Sequence, residues 1–144
     1  MNFENNAPAS SKFVKKVVIH NDTAYVSGQL PREGGEIKYL GKVGKDLDIE
    51  SAKKSARLCV QNCFKELLMT LGNEKEIERV IKMTGFVASS SGFNQQPAVI
   101  DAASEFIYEQ LGECGPHARS AIGVAELPHG ASVEIEIIAA IKNK

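Results

Sequence analysis

The sequence has no tryptophan, only three histidines and almost no net charge. Its 17 lysine and arginine residues are balanced by 18 aspartate and glutamate residues, giving a formal net charge of −1. A chain with this balance has no field of one sign that would draw it to nucleic acid or to an anionic membrane. Nucleic-acid binding is therefore disfavoured from the outset.

Long apolar runs are also missing. Residues 1–13, MNFENNAPASSKF, have no apolar core of the kind found in signal peptides, and no later run approaches transmembrane length. We therefore expect a cytoplasmic protein that does not contact the membrane. The polar residues 1–12 are interpreted as a flexible arm, followed by a single domain at residues 13–144, a length that suits one hydrophobic core.

Cysteine is scarce, with Cys59, Cys63 and Cys114 as its three occurrences. The odd number and the wide gap argue against a disulfide framework. Cys59 and Cys63 are one helical turn apart and could form half of a metal site, but no histidine or further cysteine nearby repeats the spacing. We predict two buried thiols on one helix face and no metal site.

The apolar pattern predicts two helices and five or six strands. Strands are expected at residues 16–20, 23–30, 79–88, 119–127 and 132–141, with a weaker one near 37–40. One helix is capped by Asp46 or Asp48 and ends near Leu71; the second begins at Pro97 and ends at Gly112. The order ββ(β)αβαββ predicts an α+β fold, a two-layer sandwich with a mostly antiparallel sheet backed by two helices.

The last two strands are predicted to form a hairpin. Alternation places one apolar set on the face that the helices cover: Val133, Ile135, Ile137, Ala139 and Ile141. A four-residue loop that pairs Leu127 with Ser132 adds Ile122 and Val124 to this face. The opposite face then carries small and charged residues: Arg119, Ala121, Gly123, Glu134, Glu136 and Ile138.

This register separates the two charged residues of greatest interest. Arg119 and Glu134 would lie six positions apart along the ladder, roughly 20 Å at about 3.3 Å per residue. Both can serve one small-molecule site only if a neighbouring subunit brings its Glu134 to this Arg119. A site built in this way requires an oligomer.

Three segments resemble one known family. They are YVSGQLP (Tyr25–Pro31), VIKMTGFV (Val80–Val87) and GPHARSAIGVAELPHGASVEIEIIA at residues 115–139. Their order and sequence are similar to the Rid family (RidA/YjgF, of the endoribonuclease L-PSP type), and HARSAIGVAELP resembles a divergent branch of it. The resemblance implies a chorismate-mutase-like fold, a homotrimer with sites between subunits, and cofactor-independent hydrolysis of amino-acid-derived enamines and imines to 2-oxo acids and ammonia.

The resemblance also implies roles for individual residues. Arg119 matches the arginine that grips the substrate carboxylate, and Glu134 matches the glutamate that orients the attacking water. The cleft would be lined by Ser27, Gly28 and Gln29, with Phe86 as an apolar wall, and the residues at Ala121 and Phe13 are also assigned to substrate binding. The chain departs from the family pattern in two places: Ala121 replaces a cysteine, and Phe13 or Val14 replaces a tyrosine.

Two other functions remain open. An endoribonuclease is suggested by the family's naming, but the near-neutral charge, the absence of tryptophan and the lack of a histidine pair for acid–base cleavage count against it. A non-catalytic protein that binds small carboxylates would use Arg119 equally well. His117, two residues before Arg119, is interpreted as a loop histidine rather than a ligand or base.

Overall fold

A computed structural model describes residues 12–144. Its elements, in chain order, are β1 (Val17–His20), β2 (Thr23–Gln29), β3 (Arg32–Glu33), β4 (Glu36–Ile37), α1 (Ile49–Leu71), β5 (Lys75–Ala88), α2 (Gln96–Leu111), β6 (Ala118–Val124) and β7 (Val133–Asn143). The predicted arm, residues 1–12, lies outside the described residues except for Lys12. No helix in residues 12–144 is long and apolar enough to cross a membrane.

The main sheet has the strand order β1-β2-β7-β5-β6, and β3 and β4 form a separate two-stranded ribbon. Three pairings in the main sheet are antiparallel, whereas β5 and β6 run parallel. Both helices pack on one face of this mixed sheet. The predicted α+β arrangement of two helices on a mostly antiparallel sheet is confirmed.

Helix α1 begins and ends at the residues that the sequence indicated. The Asp48 side chain accepts a hydrogen bond from the Ser51 backbone N–H at 2.7 Å, which satisfies a free donor of the first turn. Gly72 ends the helix with a φ of 64°, a conformation that glycine adopts without steric cost. The buried stripe of α1 consists of Ala52, Ser55, Ala56, Cys59, Val60, Cys63, Phe64, Leu67 and Leu71.

Cys59 and Cys63 lie on this stripe and are fully buried, as predicted. Their thiols donate to backbone carbonyls of β7, Cys59 to Val133 at 3.4 Å and Cys63 to Ile135 at 3.3 Å. Burial raises the pKa of both thiols, so the nucleophilic thiolate is disfavoured. Within residues 12–144, no three histidine, cysteine or acidic side chains are arranged to hold a metal ion.

The predicted hairpin of the last two strands is wrong. Strand β6 pairs with β5 in parallel, and β7 pairs with β5 on its other side, so β6 and β7 are not neighbours. The chain leaves β5, crosses the sheet through α2 and returns in the same direction as β6, which is how parallel neighbours are connected. The pairing of Leu127 with Ser132 therefore does not occur.

The parallel pairing inverts the predicted faces of β6. Arg119 is paired with Met83 and Ala121 with Gly85, which places both on the helix-covered face. Ile122, predicted to be in the core, is paired with Phe86 on the opposite face and is 43% exposed. The predicted alternation of β7 is confirmed, since Val133, Ile135, Ile137, Ala139 and Ile141 are all buried.

Small residues on β5 and β6 allow α2 to pack closely on the sheet. A Cβ at Gly85 would lie 2.5 Å from Ile100 Cδ1, and one at Gly123 would lie 2.6 Å from Gln96 Nε2. Ala121 packs against the core from the same side. The small residues around Arg119 therefore serve helix packing, rather than forming the shallow floor that the hairpin model predicted.

Candidate functional site

Glu134 lies on the face of the sheet that the helices leave uncovered. It is paired with Phe86 across β7 and β5, and Phe86 is paired in turn with Ile122 of β6. Paired residues point to the same face, so the three side chains form one row. Glu134 and Phe86, both assigned to the site by resemblance, are therefore neighbours in one chain.

Gly28 makes room for the Glu134 carboxylate. A Cβ at position 28 would lie 2.5 Å from Glu134 Oε1 and 3.0 Å from its Cδ. A register shift in β2 between Val26 and Gln29 accompanies this close approach. Gly28 is not among the residues with positive φ, so the position requires glycine for space and not for backbone conformation.

The surroundings of Glu134 favour its protonated form. Burial raises the pKa of its carboxyl group, and the nearby negative charge of Glu136 raises it further. A carboxylate that takes up a proton more readily is a better general base near neutral pH. Glu134 is half-buried, so water can still reach it.

Arg119 lies on the other face, at the start of the edge strand β6, and contacts α2. Its Nη1 donates to Asp101 Oδ1 at 2.8 Å and to Ser104 Oγ at 3.1 Å. The Arg119 side chain is 23% exposed, whereas that of Asp101 is 58% exposed. The guanidinium is therefore held against α2 by two hydrogen bonds from Nη1.

A chain of hydrogen bonds fixes Ser104 in turn. His117 Nδ1 lies 2.8 Å from the Gly115 carbonyl oxygen, which can only accept, so Nδ1 carries the hydrogen. In the neutral ring Nε2 is then an acceptor, and the Ser104 hydroxyl, 3.0 Å away, donates to it. The Ser104 oxygen remains available to accept from Arg119. The series Gly115–His117–Ser104–Arg119 thus has one consistent set of donors and acceptors.

The outer edge of Arg119 is available to a ligand. Within residues 12–144, its intramolecular hydrogen bonds all come from Nη1, which leaves the Nε–Nη2 edge without a protein partner. Two parallel N–H groups of this kind match the two oxygens of a carboxylate. A cavity of about 290 Å³ opens beside it, lined by Ser104, Tyr108, Gly115, Pro116, His117 and Arg119.

The other residues assigned to the site are spread along the chain. The Ser27 hydroxyl donates to the Lys15 carbonyl at 2.6 Å, and the Gln29 side chain donates to the Ser27 carbonyl at 3.1 Å. Phe13 is 80% exposed, two residues before Lys15. One chain thus groups Gly28, Glu134 and Phe86 on one face of the sheet and Arg119 with Ala121 on the other.

A larger cavity, of about 690 Å³, lies beside Ser27, Gly28 and Gln29. Its remaining lining comes from residues 14–16, the β3–β4 ribbon and the exposed side of α1. Arg119 and Glu134 do not line it. Because neither of these two residues lines it, we place the candidate site at Arg119 and Glu134 rather than in this cavity.

Asp101 and Ser104 were not among the site residues predicted from the sequence. They lie three residues apart on α2 and so share one helix face, which is the only local signal they carry. The resemblance to a family motif draws attention to Arg119 but not to a helix that is 15 to 18 residues away in sequence. His117, interpreted as a loop histidine without a role, proves to be the residue that orients Ser104.

Comparisons with known proteins point to a single family. The model of the family described as Endoribonuclease L-PSP matches residues 4–141. Protein TCP17 from Trypanosoma cruzi is 37% identical over 120 residues, which cover 83% of this chain and 75% of that protein.

Solved structures have the same fold. Atu1372 from Agrobacterium tumefaciens is 44% identical with a TM-score of 0.84, covering 90% of this chain and 83% of that one. YyfA from Yersinia pestis, of the Rid protein family, is 25% identical with a TM-score of 0.62, covering 88% and 86%. The E. coli protein TdcF, solved with bound serine, is 25% identical with a TM-score of 0.62, covering 88% and 87%.

Proposed function

We propose that this chain, which belongs to the endoribonuclease L-PSP family and within it to the Rid proteins, hydrolyses small 2-imino acids and their enamine tautomers to 2-oxo acids and ammonia. The observation that carries the proposal is the free Nε–Nη2 edge of Arg119, held in place through Nη1. The fork would bind the carboxylate of the imino acid bidentately. The bound serine of TdcF is a small amino acid that carries such a carboxylate.

Glu134 would supply the base for the reaction. Its carboxylate takes a proton from a water molecule as the water oxygen attacks the carbon of the protonated imine, giving a carbinolamine. Glu134 then passes this proton to the nitrogen, the carbon–nitrogen bond breaks, and the carbinolamine hydroxyl loses its proton to Glu134 as the carbonyl forms, which leaves ammonia and the 2-oxo acid. Phe86 would form the apolar wall beside the reacting carbon. The reaction needs no redox step, metal or cofactor.

The proposed site requires more than one copy of the chain, and we propose a homotrimer. The uncovered sheet face carries exposed apolar side chains, including the paired residues Val18 and Tyr25 and, further along the sheet, Ile122. Covering them with neighbouring copies would remove apolar surface from water. Arg119 points to the other face but lies on the edge strand β6, and we propose that a neighbouring copy extends past this edge and brings its Glu134 to Arg119. Light scattering at micromolar concentration should give three times the chain mass; a monomer would contradict both the assembly and the shared site.

The direct test is release of ammonia and pyruvate from freshly generated 2-aminoacrylate. Wild type should accelerate it over buffer. Arg119→Ala should abolish the acceleration, and Arg119→Lys should recover little, because a point charge cannot replace the bidentate fork. Arg32→Ala is the matched control: it removes an arginine that lines the larger cavity and should leave the rate unchanged.

The same variants distinguish hydrolysis from the alternative function, which is the binding of small carboxylates without catalysis. That function predicts Arg119-dependent binding of pyruvate by calorimetry, with no ammonia release above buffer. If Arg32→Ala abolishes hydrolysis while Arg119→Ala does not, the site lies in the larger cavity and the proposal is wrong.

A further inference from the structure

The cavity that Arg119 lines presents mainly apolar surface to a ligand. Its volume of about 290 Å³ lies near the lower end of the range for ligand pockets, about 300 Å³. The polar side chains of Ser104 and His117 are already engaged in hydrogen bonds within the protein. Besides the outer edge of Arg119, the cavity therefore offers a ligand the side chain of Tyr108 and the ring of Pro116.

Tyr108 stands next to the serine that holds Arg119. The Ser104 hydroxyl oxygen lies 3.1 Å from Arg119 Nη1, and Tyr108 follows Ser104 by one turn of α2. Residues four apart share one helix face, about 5–6 Å from each other, and aromatic side chains on a helix point back toward its N-terminus, here toward Ser104. Tyr108 is 58% exposed, so its ring is not part of the core. One ligand of amino-acid size can therefore contact both the arginine and the ring.

The loop that forms the other wall of the cavity is fixed against α2. A Cβ at Gly115 would lie 2.7 Å from Tyr108 Cα and 2.9 Å from the Gly112 carbonyl oxygen, so the loop backbone packs directly on the end of the helix. On its other side, Arg79 Nη2 donates to the Pro116 carbonyl at 2.8 Å. Proline has no N–H, and its carbonyl already accepts this bond. A polar ligand group placed between the Tyr108 and Pro116 rings would leave water without gaining a protein partner there.

We propose that Tyr108 and Pro116 form an apolar subsite that binds the side chain of the ligand whose carboxylate is held by Arg119. Tyr108 is then a specificity-determining residue. The inference rests on the proposed function and assigns its substrate class: 2-imino acids with apolar side chains larger than a methyl group. Each methylene group that such a side chain removes from water contributes about fourfold in affinity. The small 2-aminoacrylate would bind to Arg119 without filling this subsite.

The test compares pyruvate with 4-methyl-2-oxopentanoate by calorimetry on the full chain. Both are monoanions with the same carboxylate and oxo group, so the contribution of Arg119 cancels in the ratio of their affinities. Wild type should bind the larger acid roughly tenfold more tightly, less than complete burial of its three additional carbon atoms would give. Tyr108→Ala should lower this ratio by roughly threefold or more and leave the affinity for pyruvate nearly unchanged. Tyr108→Phe keeps the ring and should keep the ratio.

Leu68→Ala is the matched control. It removes an apolar side chain that is 52% exposed on the other helix, outside the cavity, and should leave the ratio unchanged. The inference is wrong if wild type does not prefer the larger acid, or if Tyr108→Ala changes the ratio no more than Leu68→Ala does. It is also wrong if Tyr108→Phe lowers the ratio as much as Tyr108→Ala, because the hydroxyl and not the ring then contacts the ligand. If Arg119→Ala abolishes the binding of both acids in any of these cases, the proposed function survives without the inference. A wild type that binds neither acid overturns both.

Discussion

Arg119 and Glu134 of one chain point to opposite faces of the sheet. Arg119 is paired with Met83 and Met83 with Ile137, so Glu134 lies two strands away and three residues further along. At about 3.3 Å per residue and about 4.8 Å per strand, their Cα atoms are about 14 Å apart. The six-position separation predicted from the hairpin was wrong, but a small ligand still cannot contact both residues in one chain.

Mixed oligomers should therefore recover activity that neither parent has. Arg119→Ala chains and Glu134→Gln chains, unfolded and refolded together in equal amounts, should regain about a quarter of wild-type 2-aminoacrylate hydrolysis, because each half of a cleft is intact half of the time. The control mixes Arg119→Ala chains with chains that carry both substitutions, and it should stay inactive. No recovery in the first mixture would contradict a site shared between subunits.

Gly28→Ala should reduce hydrolysis while leaving the fold intact. The new methyl group would lie 2.5 Å from Glu134 Oε1, and the flexible end of the glutamate is the part that must move. We expect a loss of about tenfold or more in kcat, less than the roughly hundredfold that is the lower end of what general-base catalysis contributes, because the carboxylate is displaced and not removed. The thermal unfolding midpoint should be nearly unchanged. A large fall in the midpoint would mean that position 28 is structural.

In contrast to Gly28→Ala, Gly85→Ala should lower the stability of the fold. Its Cβ would lie within 2.9 Å of three carbon atoms of Ile100, which is fully buried and has no room to shift. Overpacking of this kind costs about 1–3 kcal/mol of unfolding free energy, measurable by urea denaturation. Adding Ile100→Val removes Cδ1, the nearest of the three clashing carbon atoms, and should restore part of the loss. An unchanged stability would contradict the close packing of α2 on β5.

The pH dependence should follow the raised pKa of Glu134. Burial raises this pKa above its ordinary value of 4.5. Between pH 4.5 and the raised pKa, the folded protein therefore retains a proton on Glu134 that the unfolded chain has released. Ionisation of Glu134 therefore lowers the free energy of unfolding as the pH rises above 4.5, and Glu134→Gln should remove this pH-dependent loss. The two proteins should converge in unfolding midpoint below pH 4.5. A wild type that instead gains on the variant as the pH rises would contradict the direction of the shift.

The rate of hydrolysis should fall as the pH drops through the raised pKa of Glu134, since protonated Glu134 cannot act as a base. Glu136→Gln removes a negative charge that contributes to the shift and should move this acid limb to lower pH. An unmoved limb would mean that another group controls it.

Local features of the sequence determined the helices and the central strand. Helix α1 begins after Asp48 and ends before Gly72, where the capping residues indicated. The alternation of β7 correctly separated its buried side chains from Glu134. The buried cysteines followed from the same stripe. The helix ends, the strand alternation and the buried cysteines each depend on residues close together in the sequence. They can therefore be predicted from the sequence alone.

The position of β6 was decided by the tertiary structure. Alternation divides a strand into two faces but does not say which face is buried or which strand lies alongside, because both depend on segments distant in the chain. The crossover through α2 placed β6 parallel to β5 and turned Arg119 toward Asp101 and Ser104. The sequence by itself determined that Arg119 begins a strand and, through its resemblance, that it is a candidate carboxylate ligand. Only the packing of α2 against β6 decided which edge of its guanidinium is free and which charge lies beside it.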